Sequence, residues 1–172
     1  GPPRGYFRDA LAGRANIGEV ALNKVTGQPF VPVAVPVVST DGHIVGVVAN
    51  ILDIGYLCDL IAGARIGKTG YAFMTNKDGL TIAHPDKANI LKLDMKTLEG
   101  MEEISKKMLA GQTGVEKYTF KGLDKTAGFA PVALTGWSIC LSLPDEEFLA
   151  PAVAVRNIVL IEALDLDFAR GL

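Results

Sequence analysis

Two stretches of this chain, Pro29 to Leu57 and Thr126 to Leu149, share one plan, and that repeat limits the folds open to it. The first reads PFVPVAVPVVSTDGHIVGVVANILDIGYL and the second TAGFAPVALTGWSICLSLPDEEFL. Each runs through an apolar strand, a Pro-Val pair, a tight Gly turn, a second apolar strand and a helix start. Branched apolar residues around a Gly turn make an antiparallel hairpin, and the residues after the hairpin are spaced as a helix. Two copies predict two similar modules in tandem. Less chain precedes the first copy than the second, so the first module reads as the C-terminal part of a larger unit.

Composition narrows the function. With 49% hydrophobic and 21% charged residues over 172 positions, the chain can bury a core. Lys and Arg number 17 against 19 Asp and Glu, a net charge of -2, which leaves no cationic excess for phosphates and excludes nucleic acid as a partner. Cys58 and Cys140 make neither a disulfide framework nor a zinc site, and no CxxCH is present, so no cofactor is expected. The apolar stretch from Phe148 to Ile161 is broken by Arg156 and Asn157 and is shorter than the ~20 residues of a membrane span.

Along the chain, Gly5 to Ala12 is spaced as a short helix, and Glu19–Val25, Phe30–Val38 and Ile44–Ile54 read as strands. Pro32 and Pro36 lack the N–H that a ladder needs, which places them at bulges or on an edge. Leu57, Leu60 and Ile61 mark a connecting helix. A hairpin over Tyr71–Thr75 and Leu80–Ala83, a helix over Leu98–Leu109, and strands over Val115–Phe120, Thr126–Val132 and Trp137–Leu143 come next. Five antiparallel strands with a helix after the second form a PAS-like plan. Pro144 and the acids Asp145 to Glu147 open a last helix, with Phe148, Ala152 and Val155 on one face.

In order, the strings GYFRDALAG, PVVSTDGHIVGVVANILDI, IGKTGYAFMTNKDGLTIAHPD and GWSICLSLPDEEFL resemble the double Cache family of extracytoplasmic sensor domains. The resemblance implies an α+β fold of tandem PAS-like modules, with antiparallel sheets flanked by helices and the first module incomplete. Residues 1–54 correspond to the C-terminal part of a membrane-distal module, 55–67 to a connecting helix and linker, and 68–148 to a membrane-proximal module. Residues 149–172 correspond to a helix leading toward a membrane, ending in an atypical tail, EALDLDFARGL. The implied protein is a membrane-anchored receptor for chemotaxis or two-component signalling, compatible with a homodimer. A structural or dimerisation module with a vestigial pocket is the alternative, and the sequence offers no nucleophile, base or metal constellation for an enzyme.

Arg4, Tyr6 and Phe7 match the Arg-x-aromatic-aromatic positions with which amino-acid-sensing members hold a ligand. A guanidinium grips a carboxylate through two charge-assisted hydrogen bonds, and aromatic rings wall a small molecule. A surface arginine beside two core aromatics is the plain alternative. The family's acidic residue for a ligand ammonium aligns with Ile51, while Asp53 shares its sheet face. An ammonium buried against Ile51 loses its counter-charge, so the expected ligand is an organic acid rather than an α-amino acid. Tyr71, Phe73, His84 and Tyr118 are candidates for a pocket in the proximal module, against a reading of His84 as a strand-end residue and the aromatics as core.

Overall fold

The computed structural model describes residues 5–151 and 153. Helix α1 (Gly5–Leu11) leads into a sheet of β1 (Asn16–Ile17), β2 (Ala21–Leu22), β3 (Pro29–Val38) and β4 (Ile44–Asp53). Strand β4 pairs along one edge of β3, and β1 and β2 share the other. Of the strand expected over Glu19–Val25 only Ala21–Leu22 forms, and a second short piece, Asn16–Ile17, precedes it on the same edge, the two separated opposite Pro32. At the break the Gly18 N–H donates to the Pro32 carbonyl at 2.7 Å, and a Cβ on Gly18 would lie 2.6 Å from the Pro32 ring. Pro36 lies beyond β1, where that edge of β3 has no partner strand among the described residues.

Helix α2 (Gly55–Gly63) carries the chain to a second sheet of β5 (Arg65–Ile66), β6 (Gly70–Thr75), β7 (Thr81–Ala83), β8 (Gly114–Phe120), β9 (Leu123–Val132) and β10 (Trp137–Pro144). The order is β5-β6-β10-β9-β8, all antiparallel, with β7 also paired to β6. Six strands stand where five were expected, because the linker after α2 returns as β5. Both copies of the repeat fold as one hairpin leading into a helix: β3, β4 and α2, then β9, β10 and the helix that runs over residues 145–151.

Period-two alternation in the second sheet feeds two cores. Ala72, Met74 and Trp137 face α2 and join Val20, Val31, Ile54, Cys58, Ile61, Ile82 and Ala83. Phe73, Ala127, Phe129 and Cys140 face the other way, against Met95, Met101, Ile104 and Met108. That second core is roofed by residues 84–101 and helix α3 (Glu102–Leu109). The helix expected from Leu98 starts four residues later because Gly100 sits at φ +81°, outside the helical region. Before it, the chain makes two single 3-10 turns in which the Asp86 and Asp94 carboxylates accept the Ala88 and Lys96 N–H groups.

The first sheet is far less covered: Val45, Val48, Ile51 and Leu52 on β4 are all exposed. Phe148, expected on a packing face, is half exposed, and Ala152, Val155 and Ile158 to Ile161 lie outside the described residues.

Gly100 tests the roof. A Cβ there would meet the Thr119 carbonyl at 1.9 Å, whereas one on Gly122, at φ +76°, meets nothing within 4 Å. Both alanine variants carry the left-handed strain of about 1–3 kcal/mol. Urea denaturation is expected to show Gly100→Ala as clearly the more destabilising of the two, and equal midpoints would contradict the close approach of the roof to β8.

Candidate functional site

In the first module, α1, β1, β2 and β3 enclose an open groove of about 790 Å³. Tyr6, Phe30 and Pro32 supply its apolar wall, and its polar lining carries both signs, from Asp9, Glu19, Lys24 and Lys77. Glu19 and Lys77 face each other at 3.2 Å, while Asp9 pairs with Arg14 at 2.6 Å. Of the residues expected at a distal site, Tyr6 lines this groove; Phe7, Ile51 and Asp53 do not. Arg4 lies outside the described residues. Asp53 acts on its own neighbourhood, where its Oδ1 accepts the Gly55 N–H at 2.7 Å and satisfies a free donor at the start of α2.

The four residues expected in the second module converge. Tyr71 and Phe73 on β6, Tyr118 on β8 and His84 after β7 line one cavity of about 230 Å³ between the sheet and its roof. Asn89, Met95, Leu98 and Met101 close it from the roof, and Phe120 and Lys121 from the end of β8. The Tyr71 and His84 rings meet edge to face, with centroids 5.4 Å apart. Burial raises the pKa of Tyr71 and pushes that of Tyr118 well above the usual phenol range, and the Tyr118 hydroxyl pairs with that of Ser142 at 2.6 Å.

His84 is held by its own loop. The Asp86 N–H lies 2.9 Å and the Asp86 carbonyl 3.2 Å from Nδ1, and the Asn89 amide lies 3.3 Å from the same atom. Burial depresses the His84 pKa, more than its backbone bond at Asp86 restores. Both cysteines are buried thiols, their pKa values raised by desolvation to about 11 for Cys58 and about 12 for Cys140, too high for reactive thiolates. Among the described residues, no three His, Cys, Asp or Glu side chains gather as a metal site.

Lys121 and Lys125 were missed from sequence, although a signal existed. Lys121 and Gly122 both have positive φ, 51° and 76°, the mark of a two-residue type I′ hairpin turn. Reading that turn in TFKGLDK pairs Phe120 with Leu123 and Tyr118 with Lys125, which turns Lys125 to the sheet face of Tyr118, its ammonium 5.1 Å from the centre of the Tyr71 ring.

At the exit of the second module the acids are not idle at a helix end. Asp145 accepts from the Thr126 hydroxyl at 2.6 Å and pairs with Lys117 at 3.2 Å. The Glu147 carboxylate takes the N–H groups of Lys68 and Thr69 and the Thr69 hydroxyl, tying the last helix to the turn beyond α2 and β5. These bonds hold the Glu147 pKa below the usual carboxylate range.

Comparison with known proteins places this architecture. The Cache domain family matches residues 2–152, and the chain belongs to that family. It is 29% identical over 173 residues to the methyl-accepting chemotaxis protein McpA of Pseudomonas putida, covering 94% of this chain and 26% of the receptor. To McpA of Bacillus subtilis it is 28% identical over 158 residues, covering 92% and 22%. The chain thus spans about a quarter of the length of these receptors. Among solved structures, the periplasmic sensory domain of the Campylobacter jejuni chemoreceptor Tlp1 superposes with a TM-score of 0.72 at 22% identity, over 86% of this chain and 57% of that one. The ligand-binding domain of the Pseudomonas aeruginosa chemoreceptor PctC, solved with GABA, gives 0.66 at 25% identity, over 81% and 61%. Among the described residues no helix is long and apolar enough to cross a membrane.

These findings correct the expected ligand. Structural neighbours were solved with asparagine, GABA, L-arginine, L-alanine and L-serine, so an organic acid in preference to an amino acid does not stand. The physical premise fails as well. Ile51 is 51% exposed, so no ammonium is buried against it.

The His84 environment predicts a pH effect with a definite sign. Its folded pKa lies below its unfolded value of ~6.5, so the native state favours the neutral ring. The resulting stability is present above ~6.5 and is lost as pH falls from there through the folded pKa. Thermal melts of the parent and His84→Gln at pH 7.5 and pH 5 are expected to show a larger acid-induced drop for the parent. Parallel drops would contradict the assignment.

Proposed function

We propose that this chain is the ligand-binding sensory part of an extracytoplasmic receptor of the chemotaxis type, and that it receives an amino acid. The observation that carries the reading is the Cache match across residues 2–152, on a chain whose two sheets keep the tandem order. The relatives are named methyl-accepting chemotaxis proteins, and neighbours of the same fold hold amino acids. The groove against α1 suits a zwitterion, because acidic and basic side chains stand beside Tyr6 and Phe30. Arg4 and Phe7 remain proposed participants through their match to the family's motif, and Asp53 through the sheet face it shares with Ile51. Polar groups converging on enclosed space favour sensing over a vestigial scaffold.

A sensor acts by differential affinity: the ligand stabilises one arrangement of the modules, and an element attached to both reports it. The last helix, joined by Glu147 to the linker and by Asp145 to β8 and β9, is the element built to report it.

A thermal-shift screen of the amino acids, then calorimetry, tests the reading. At least one is expected to raise the melting temperature in a saturable way, and Tyr6→Ala is expected to weaken it. If no amino acid binds, the amino-acid assignment fails. Glu147→Ala is expected to lower the melting temperature while leaving amino-acid affinity unchanged; a matching loss of affinity would place Glu147 at the ligand instead.

A further inference from the structure

The groove at α1 is bordered by an ion pair that belongs to both modules. Glu19 lies between β1 and β2 of the first sheet, Lys77 lies in the turn between β6 and β7 of the second, and both side chains line the groove. The Lys77 ammonium stands 3.2 Å from a Glu19 carboxylate oxygen, and the two side chains are 61% and 62% exposed. An ion pair so open to water contributes little to stability, so it opens at little cost. The backbones that carry it are fixed. On the Glu19 side the Gly18 N–H donates to the Pro32 carbonyl, and Val20 is buried in the core against α2. On the Lys77 side the buried Asn76 side chain accepts the Asp78 and Leu80 N–H groups at 3.0 and 2.9 Å, and a Cβ on Gly136 would lie 3.6 Å from the Lys77 Cβ. The pair is weak and its supports are rigid.

An α-amino acid carries an ammonium and a carboxylate on one carbon, the same two charges that this pair brings together. Its ammonium replaces Lys77 at Glu19, its carboxylate replaces Glu19 at Lys77, and every charge keeps a partner. The other charged side chains of the groove suit this exchange less. Asp9 is held by Arg14 at 2.6 Å, and Lys24 belongs to the first module, where a site confined to one module would use it. A carboxylate has about four acceptor sites, so Lys77 and the proposed Arg4 can both bind one. We infer that an amino acid in this groove bridges the two modules, its ammonium on Glu19 and its carboxylate on Lys77, an assignment that rests on the amino-acid proposal above and adds to it a residue of the second module. Affinity then depends on how the modules sit against each other, and by linkage the bound amino acid favours the arrangement that keeps both charges within its reach.

Backbone amides of both modules give the readout. The 15N-labelled protein is titrated separately with L-alanine, L-serine, L-asparagine and L-arginine, and with the α-carboxamide of each, which keeps the amine and removes the carboxylate charge. At least one amino acid is expected to shift the amides of Glu19 and of Lys77, Asp78 and Gly79 along one saturation curve, and its carboxamide is expected to bind more weakly. Lys77→Met, which keeps the chain length and removes the charge, is expected to weaken that amino acid about tenfold or more while leaving its carboxamide close to the parent's affinity. Glu19→Gln is expected to weaken both, because both carry the amine, and Lys24→Met is expected to weaken the amino acid less than Lys77→Met does. If Lys77→Met weakens amino acid and carboxamide alike, Lys77 only holds the modules together and the bridge is refuted. If Lys77→Met binds as the parent does, or if the amides of residues 77–79 stay still while that of Glu19 moves, the amino acid sits in the first module alone; the bridge is refuted and the amino-acid proposal stands. If none of the four shifts an amide of either module, the bridge falls, and the thermal-shift screen of all the amino acids decides whether the wider proposal falls with it.

Discussion

Everything else in this molecule depends on the buried stripe of α2. Ile54, Cys58 and Ile61 recur at three and four residues, so they form one helix face. That face meets Val31 of the first sheet and Ala72, Met74 and Ile82 of the second. The Cys58 thiol is also within 3.2 Å of the Ile82 carbonyl. Full burial of one such isoleucine stabilises by about 1.5–3 kcal/mol, so a few residues give two sheets a shared core. Because the helix touches both, a change of packing on either side is felt on the other.

The second sheet can host a cavity because its two faces are filled differently. On the α2 side small and branched residues pack densely against a rigid helix. On the other side the roof is mostly irregular chain, pinned by Asp86, Asp94 and the Ser105 hydroxyl, which donates to the Met95 carbonyl at 2.9 Å. Methionines fill irregular space with low strain, and where they stop, between Met95, Met101 and the β6 aromatics, enclosed volume remains. Polar side chains reach that volume from two parts of the chain, Tyr118 and Lys121 on and just after β8 and His84 after β7. A roof held by a few loop hydrogen bonds opens more easily than a sheet.

The exit of the module adds a mechanical link. Glu147 belongs to the helix after β10, yet its partners are the backbone N–H groups of residues 68 and 69, at the end of the linker. The helix therefore cannot turn about β10 without releasing the turn between β5 and β6. Gly67 stands so close that a Cβ there would lie 2.4 Å from the Glu147 carboxylate. Such a tie couples the position of the last helix to that of the turn after β5.

The sequence by itself determined the local elements. Hairpins over 29–53 and 123–144, each leading into a helix, arise from branched residues at period two, Gly turns and a shift to helical spacing. It also placed Tyr71 and Phe73 on one face, since alternate strand residues must share one. Where the chain was read wrongly, the reason lay in distant contacts or in turn chemistry. Leu98 does not begin a helix because of one backbone angle at Gly100, and the edge strand breaks at Gly18 because Pro32 lies opposite. Lys125 looks like any surface lysine until the Lys121-Gly122 turn sets the register that buries it. Ile51 looks like a core residue in an apolar strand, and only the tertiary structure leaves it exposed. Periodicity states which residues share a face; what covers that face depends on long-range packing between segments that the local pattern does not encode, and there the charge of a site is decided.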